Sequence, residues 1–184
     1  MFKKNVINIA KIQAFTLLEL LVSLCVLTIL ISIAIPAMQN FSADKRAIAQ
    51  INSLGHALYY ARSEAVLRAE KIILCASADG RSCGGKWRDG QMVSTTGGEV
   101  LRLFSALPAR DELIWNSSAG KDALVEWLPS GYTNGQRGTF YYCAIAAAYS
   151  RILVLLDTGR WYVAAMTLSD FEKFCPKSAA LQYF

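Results

Sequence analysis

The stretch Phe15–Ile35, FTLLELLVSLCVLTILISIAI, decides the fold, because its 21 residues carry a single charge, that of Glu19. An apolar run of this length can cross a bilayer as an α-helix. A carboxylate inside such a span costs roughly 2.5–3.5 kcal/mol even on the lenient insertion scale. A simple membrane anchor gains nothing from that cost. We therefore expect Glu19 to pair with a positive charge that another subunit brings.

The residues before the apolar run fix its predicted orientation. The segment MFKKNVINIAKIQA contains Lys3, Lys4 and Lys11 and no acidic residue. Positive charges on this side keep the N-terminus in the cytoplasm and send the rest of the chain outward. A cleaved signal peptide, with the small residues Ser32 and Ala34 near its end, is one alternative, and a plain single-pass anchor is another. Both leave the glutamate unexplained.

The junction KIQA-FTLLELLV resembles the leader and first residues of type IV prepilins and type II secretion pseudopilins. The resemblance implies that a prepilin peptidase cuts the Ala14–Phe15 bond and that the new amine of Phe15 is methylated. The family usually has glycine where this chain has Ala14. The resemblance also implies that Glu19 serves assembly, by pairing with the N-terminal amine of a neighbouring subunit.

The segment after the apolar run keeps a helical pattern. Apolar side chains recur at spacings of three and four, at Ile48, Ile51, Leu54, Leu58, Ala61 and Ala65. This pattern predicts an amphipathic helix. A helix from Phe15 to about Arg68 is roughly 80 Å long at 1.5 Å per residue. Pro36 is expected to kink it, because proline removes a backbone donor.

From Ile72 onward, short apolar runs alternate with turn signals, which predicts antiparallel β-strands. The predicted strands are KIILCAS, QMVST, EVLRLFS, ELIWN, ALVEWLP, GTFYYCAIA, RILVLLD and RWYVAAM. Gly97-Gly98 and Asp157-Thr158-Gly159 suit hairpin turns, and a short capped helix is predicted to start at Ser169.

The predicted fold class is α+β, with a long N-terminal pilin-type helix packed on an antiparallel β domain. The expected domains are a leader (1–14), the helix (15–70) and a periplasmic β-rich domain (71–184).

The five cysteines fall into two sets. Cys25 lies in the apolar run and is read as a small apolar residue there. The other four lie on the exported side, where an even number suggests disulfides, and four cysteines allow three connectivities. The short separation favours Cys75–Cys83 and leaves Cys143–Cys175. Zinc is the rival explanation, but no CxxC pair supports it. We expect no metal and no cofactor.

The second half of the chain resembles the GspH/FimT group of minor pilins and pseudopilins. The resemblance rests on ASADGRSC, the W-x-x-G of Trp87–Gly90, WLPSG, GTFYYC and a late TGR turn. FimT-type members often carry Gly-Arg-x-Arg at this turn, implicated in binding DNA during natural transformation. Here Arg160 is present, but Tyr162 replaces the second arginine.

Other basic residues would extend a DNA-binding patch if the fold brought them together. These candidates are Arg137, Arg151, Lys173 and Lys177. Phosphate contacts need clustered cations, and Trp161 or Tyr162 would stack on exposed bases. The alternative is that these cations are ordinary solvated side chains and that the aromatic residues face a core. Three of the 19 basic residues belong to the leader, which leaves 16 against 14 acidic groups, so the overall charge does not decide the matter.

No enzyme is predicted. His56 is the only histidine and has no catalytic partner in the sequence, and neither a nucleophile elbow nor a glycine-rich phosphate loop occurs. A membrane-anchored hydrolase is therefore disfavoured. The predicted function is that of a structural or priming subunit of a type IV pilus or type II secretion filament, anchored in the inner membrane. The alternative is a DNA-binding minor pilin for DNA uptake. The expected partners are other pilins or pseudopilins, the prepilin peptidase, the inner membrane and, in the alternative, DNA.

Overall fold

The computed structural model describes residues 16–109, 111–121, 124–144 and 147–175. The predicted cleavage site between Ala14 and Phe15 and the candidate cation Lys177 lie outside these ranges. The chain divides into two compact units, Met1–Phe41 and Ser42–Phe184.

The first unit contains the start of helix α1, which spans Leu17–Arg68 without interruption. Residue 36 is helical, so the proline there does not end the helix. Leu17–Ile35 is long and apolar enough to cross a membrane, with a mean hydropathy of 2.7, and none of its side chains is buried. The apolar surface of this segment is therefore uncovered on every side.

In the second unit, the remainder of α1 buries one face. The buried side chains follow helical spacing and are Ala47, Ile51, Leu54, Ala57, Leu58, Ala61 and Ala65. The predicted stripe was wrong at its first position. Ile48 remains 39% exposed, and Ala47, one residue earlier, occupies the buried place.

In the part of the chain that the structure describes, nine strands and a short helix follow α1. In chain order they are β1 (Ile72–Ala76), β2 (Gln91–Thr95), β3 (Val100–Phe104), β4 (Glu112–Ser117), β5 (Gly120–Lys121), β6 (Val125–Trp127), β7 (Gly138–Cys143), β8 (Arg151–Leu155), β9 (Trp161–Ala165) and α2 (Leu168–Phe174). Two 3-10 turns lie at Trp87–Asp89 and Ala147–Tyr149. The two-residue strand β5 was not predicted, because so short a segment has no pattern of its own.

The strands form two antiparallel sheets, so the predicted α+β class is confirmed. The first sheet has the order β3-β2-β1-β6 and the second has the order β5-β4-β7-β8-β9. Helix α2 starts at Leu168 rather than Ser169. Its cap is Thr167, whose hydroxyl accepts a hydrogen bond from the N–H of Asp170 at 3.1 Å.

One core joins α1 to both sheets. Its centre is aromatic: the ring centroids of Trp115 and Phe140 are 4.0 Å apart, and those of Trp87 and Phe140 are 4.9 Å apart. Trp127 is also fully buried. Trp87, Trp115 and Trp127 are thus all core residues. These large, rigid rings fill the space between the helix and the pleated sheets.

Two disulfides close loops at the edge of this core. Cys75 is joined to Cys83, and Cys143 is joined to Cys175. The first closes the turn-rich loop after β1. The second ties the end of α2 to the end of β7. Both pairings agree with the prediction, in which the short separation favoured the first pair and left the second. Cys25 in α1 is free and exposed.

Candidate binding surface at the TGR turn

The turn between β8 and β9 is a three-residue hairpin loop. The N–H of Gly159 donates to the carbonyl of Leu156 at 2.9 Å, and the N–H of Leu156 donates to the carbonyl of Arg160 at 2.9 Å. Gly159 has a φ of 73°, a left-handed conformation that glycine adopts without strain. This geometry is a type I turn closed by a bulge glycine.

The turn is fixed on the WLPSG segment. A side chain at Gly159 would collide with the ring of Trp127 and with the carbonyl oxygen of Gly131. The N–H of Thr133 donates to the carbonyl of Asp157 at 3.1 Å. Helix α1 contributes Arg62, whose Nη1 donates to the carbonyl of Gly159 at 3.3 Å. The WLPSG and TGR motifs thus contact each other and together form one packed corner.

Two of the predicted cations lie at this corner. Strand register pairs Gly138 with Leu155 and Leu155 with Trp161, which places Arg137 and Arg160 at the same end of the second sheet. Arg137 is 3.7 Å from Asp157, and their side chains are 71% and 48% exposed, so this ion pair contributes little to stability.

Arg160 is exposed and has no ion pair within the described ranges. Together, Arg62, Arg137 and Arg160 are called the turn arginines below.

Arg151 lies at the opposite end of the sheet. It pairs in register with Ala165, about 13 Å along the strand from the turn at 3.3 Å per residue. Its guanidinium is held by Asp44 of α1 at 2.8 Å and by the carbonyl of Ala148 at 2.9 Å. The structure therefore separates Arg151 from Arg160.

Lys173 also lies away from the turn. Its ammonium sits 5.1 Å from the ring of Phe174, and that ring stacks on Tyr141 with centroids 4.0 Å apart. Tyr141 belongs to the face of β7 that points away from the core, because Phe140 and Tyr142 are the buried residues on either side of it. The predicted cations that lie in the described ranges thus form no single patch. Sequence reasoning singled out Arg151 and Lys173 and passed over Arg62, which only the packing of α1 brings to the turn.

A buried acid lies near the end of β7 that is remote from the turn. Asp111 is only 3% exposed, and the hydroxyl of Tyr142 donates to its Oδ2 at 2.6 Å. Burial, and then the hydrogen bond to Asp111, raises the pKa of Tyr142 well above its usual value. The tyrosine therefore stays protonated and serves as a fixed donor.

Next to the turn, an open groove lies between β9 and α1. We call it the β9 groove; it has a volume of about 350 Å³ and is lined by Asn52, Gly55, His56, Tyr59 and Trp161. The ring of Trp161 rests on Gly55, where a Cβ atom would come within 2.6 Å of it. The glycine at this position of α1 therefore makes room for the ring. Tyr59 is 67% exposed, so the groove has an aromatic wall open to solvent.

Glu19 lies in the first turn of α1, where its N–H donates to the hydroxyl of Thr16 at 3.3 Å. Its side chain is exposed, and no ion pair to it occurs in the described part of the chain. Within the described ranges, the chain itself thus does not supply the positive partner that was expected for Glu19.

A helix that is apolar all round at its start and then covers two antiparallel sheets defines a pilin-like protein. The family model of the type II transport protein GspH matches residues 50–159, well over half of the sequence. The chain belongs to this family.

Two crystal structures of the type IV minor pilin FimU from Pseudomonas aeruginosa PAO1 are similar to it. The first has a TM-score of 0.47 and 22% identity and covers 67% of this chain and 86% of FimU. The second crystal form has a TM-score of 0.46 and 21% identity, covering 67% and 90% respectively. The search of curated proteins found no match.

Proposed function

We propose that this protein is a minor subunit of a type II secretion or type IV pilus filament, stored in the inner membrane and then built into, or priming, the filament. One observation carries the proposal: Leu17–Ile35 is apolar on every side, uncovered, and interrupted by a single carboxylate. Apolar surface of this extent needs lipid or neighbouring helices around it. The carboxylate of Glu19 favours neighbours that bring a positive charge.

We infer processing and topology from the residues that flank this segment. The lysines ahead of it favour a cytoplasmic N-terminus and a periplasmic second unit. The two disulfides support an oxidising compartment for that unit. A prepilin peptidase would then cut the Ala14–Phe15 bond and methylate Phe15, creating the amine that Glu19 of a neighbour pairs with.

The test separates anchoring from assembly. We expect Glu19→Val to be inserted and cleaved like the wild type, as read by intact mass with and without the peptidase. Its cross-linking to co-expressed filament subunits should fall at least tenfold, because the charge pair is lost. Thr28→Val is the matched control, since it also replaces a polar group in the same apolar segment and should assemble normally. Equal cross-linking by the two variants contradicts charge pairing, and a full-length chain in the presence of peptidase contradicts the processing.

A second candidate function is nucleic-acid binding at the turn arginines. The observation that favours it is the exposure of Arg160 beside Trp161 and Tyr162, which are 37% and 53% exposed. Cations beside accessible aromatic rings suit phosphates and stacked bases. With so few contacts, binding would be non-specific and weak, with a Kd of about 10⁻⁴–10⁻⁶ M that weakens with salt.

A mobility-shift titration at low and moderate salt tests this candidate. Arg160→Ala should weaken binding more than Arg102→Ala, because Arg102 lies on β3 in the other sheet, over the ring of Tyr60 at 5.1 Å. Arg151→Ala should behave like the control, since its guanidinium is already engaged by Asp44. No shift at low salt, or equal loss from all three variants, removes the candidate.

A further inference from the structure

Strand β9 is the last strand of the second sheet, and its outer edge is unpaired within the described ranges. Because Leu156 and Arg160 are bonded through the N–H of Leu156, the hydrogen-bonded pairs that alternate along the ladder are Val154–Tyr162 and Ile152–Ala164. The N–H and C=O groups of Trp161, Val163 and Ala165 therefore point away from the sheet. They form a row of alternating donors and acceptors.

This edge lacks the features that usually protect a strand from pairing. Edge strands are normally blunted by charges, proline or bulges. Strand β3, an edge of the first sheet, has Arg102 at its centre and a register shift opposite Val93 and Ser94. Strand β9 reads WYVAA, with regular register, no charge and no proline, and four of its five residues are exposed. As far as the described residues extend, its edge is therefore open to a further strand.

The β9 groove lies where the side chains of such a strand would go. Trp161 and Val163 share the face of β9 that is turned towards α1, since they pair with the buried Leu155 and Leu153. A strand added beside β9 would place alternate side chains on that same face. There they would meet the aromatic wall of Tyr59 and Trp161.

The chemistry of the edge selects the kind of partner. A row that offers both N–H and C=O groups is matched by another polypeptide backbone, whereas nucleic-acid phosphates only accept hydrogen bonds. The aromatic wall of the β9 groove favours contact with apolar side chains. At the turn end of β9, the exposed guanidinium of Arg160 has no acidic partner in the described part of the chain, so it complements an acidic residue.

We propose that the β9 edge and the β9 groove bind an extended, apolar segment with an acidic residue, contributed by another pilin-type subunit as an added strand. The proposal rests on the proposed function, because it names a filament neighbour as the donor. It adds the surface through which the second unit engages that neighbour, separately from the helix contacts made around Glu19.

Proline substitution tests the backbone row directly. Proline is tolerated on an edge strand where its missing N–H faces solvent, and the N–H of Val163 is such a group. The matched control is Val163→Ala, which shortens the side chain but keeps the N–H. Full-length chains would be expressed with the other filament subunits, with a photo-cross-linking residue in place of Tyr59 to report occupancy of the groove.

We expect Val163→Pro to lower the cross-link at least tenfold relative to Val163→Ala, with unchanged Tm and cleavage. The attached peptide, identified by mass spectrometry, should be an apolar segment of another pilin-type subunit. Equal cross-linking by the two variants overturns the proposal. So does a cross-linked peptide from this same chain or from an unrelated protein, or a groove occupied only by added DNA.

Amide hydrogen exchange on the wild type decides the matter if the proline variant does not fold. Assembly should protect the N–H groups of Trp161, Val163 and Ala165, while those of β3 exchange as before. Unchanged exchange at these three positions overturns the proposal. If the wild type assembles with no filament subunit at all, the proposed function fails. If it assembles but neither the cross-link nor the amide exchange changes, only strand addition fails.

Discussion

Gly159 in the TGR turn is predicted to be required for packing rather than for binding, and Gly159→Ala tests this. Two costs are expected. The left-handed backbone at φ 73° strains an alanine by about 1–2 kcal/mol. The new Cβ would also lie 2.5 Å from the carbonyl oxygen of Gly131 and closer still to the ring of Trp127. Neither neighbour can easily move, because one is backbone and the other is fully buried.

The second cost can be isolated with Gly98→Ala. Gly98 also has a positive φ, of 89°, but a Cβ atom there meets nothing within 4 Å. Both variants gain about 0.4–1 kcal/mol from reduced freedom of the unfolded chain. Both also place alanine at a positive φ, so the main difference is the crowding at Gly159, for which overpacking typically costs about 1–3 kcal/mol.

Urea and thermal unfolding of the second unit, Ser42–Phe184, would measure the difference. We expect Gly159→Ala to be less stable than Gly98→Ala by about 1–3 kcal/mol, which lowers Tm by roughly 4 °C for each kcal/mol. Variants that agree within about 0.5 kcal/mol, the usual range for surface substitutions, would refute the reasoning. The packed corner would then be looser than the structure shows.

Two further predictions concern stability. Cys143 and Cys175 are 32 residues apart, and replacing both with alanine should cost about 3.7 kcal/mol of stability by loop entropy. The same change at Cys75 and Cys83, which are 8 residues apart, should cost about 2.6 kcal/mol. Non-reducing peptide mapping checks the pairing, and urea unfolding checks that the first variant loses more stability. Tyr142→Phe should cost about 1–3 kcal/mol, because it leaves the buried Asp111 without its donor. The raised pKa of Tyr142 means that its contribution is complete below about pH 10, where unfolded tyrosine titrates, and is lost as the pH rises further. The wild type should therefore lose stability in that range more steeply than the variant, and parallel pH profiles would contradict this.

The sequence predicted the fold well where a pattern repeats. The helix followed from unbroken apolar and then amphipathic spacing, and the longer strands followed from short apolar runs between glycines. The error at Ile48 has a simple cause, because neighbouring apolar residues on a helix fit the same period and only packing decides which is buried. The start of α2 was predicted one residue late. Thr167 and Ser169 are both favoured N-cap residue types, so the sequence does not show which of them caps the helix.

The candidate surface was predicted only in part. Arg160 was noticed because its motif is local, and the motif does lie on an exposed turn. Arg151 and Lys173 were grouped with it by charge alone, although strand direction carries Arg151 to the far end of the sheet and into contact with Asp44. Arg62 is 97 residues from the carbonyl that it reaches, so no local signal could have shown the contact.

The distribution of tryptophans has a spectroscopic consequence. Three of the four are fully buried, whereas Trp161 is 37% exposed and forms a wall of the β9 groove. A small neutral quencher in water should therefore reach one indole and spare the other three. Emission from Trp161 should be red-shifted relative to the buried set, and it should change alone when the groove is filled. The unlabelled protein thus contains its own fluorescent reporter, placed where an added strand would lie.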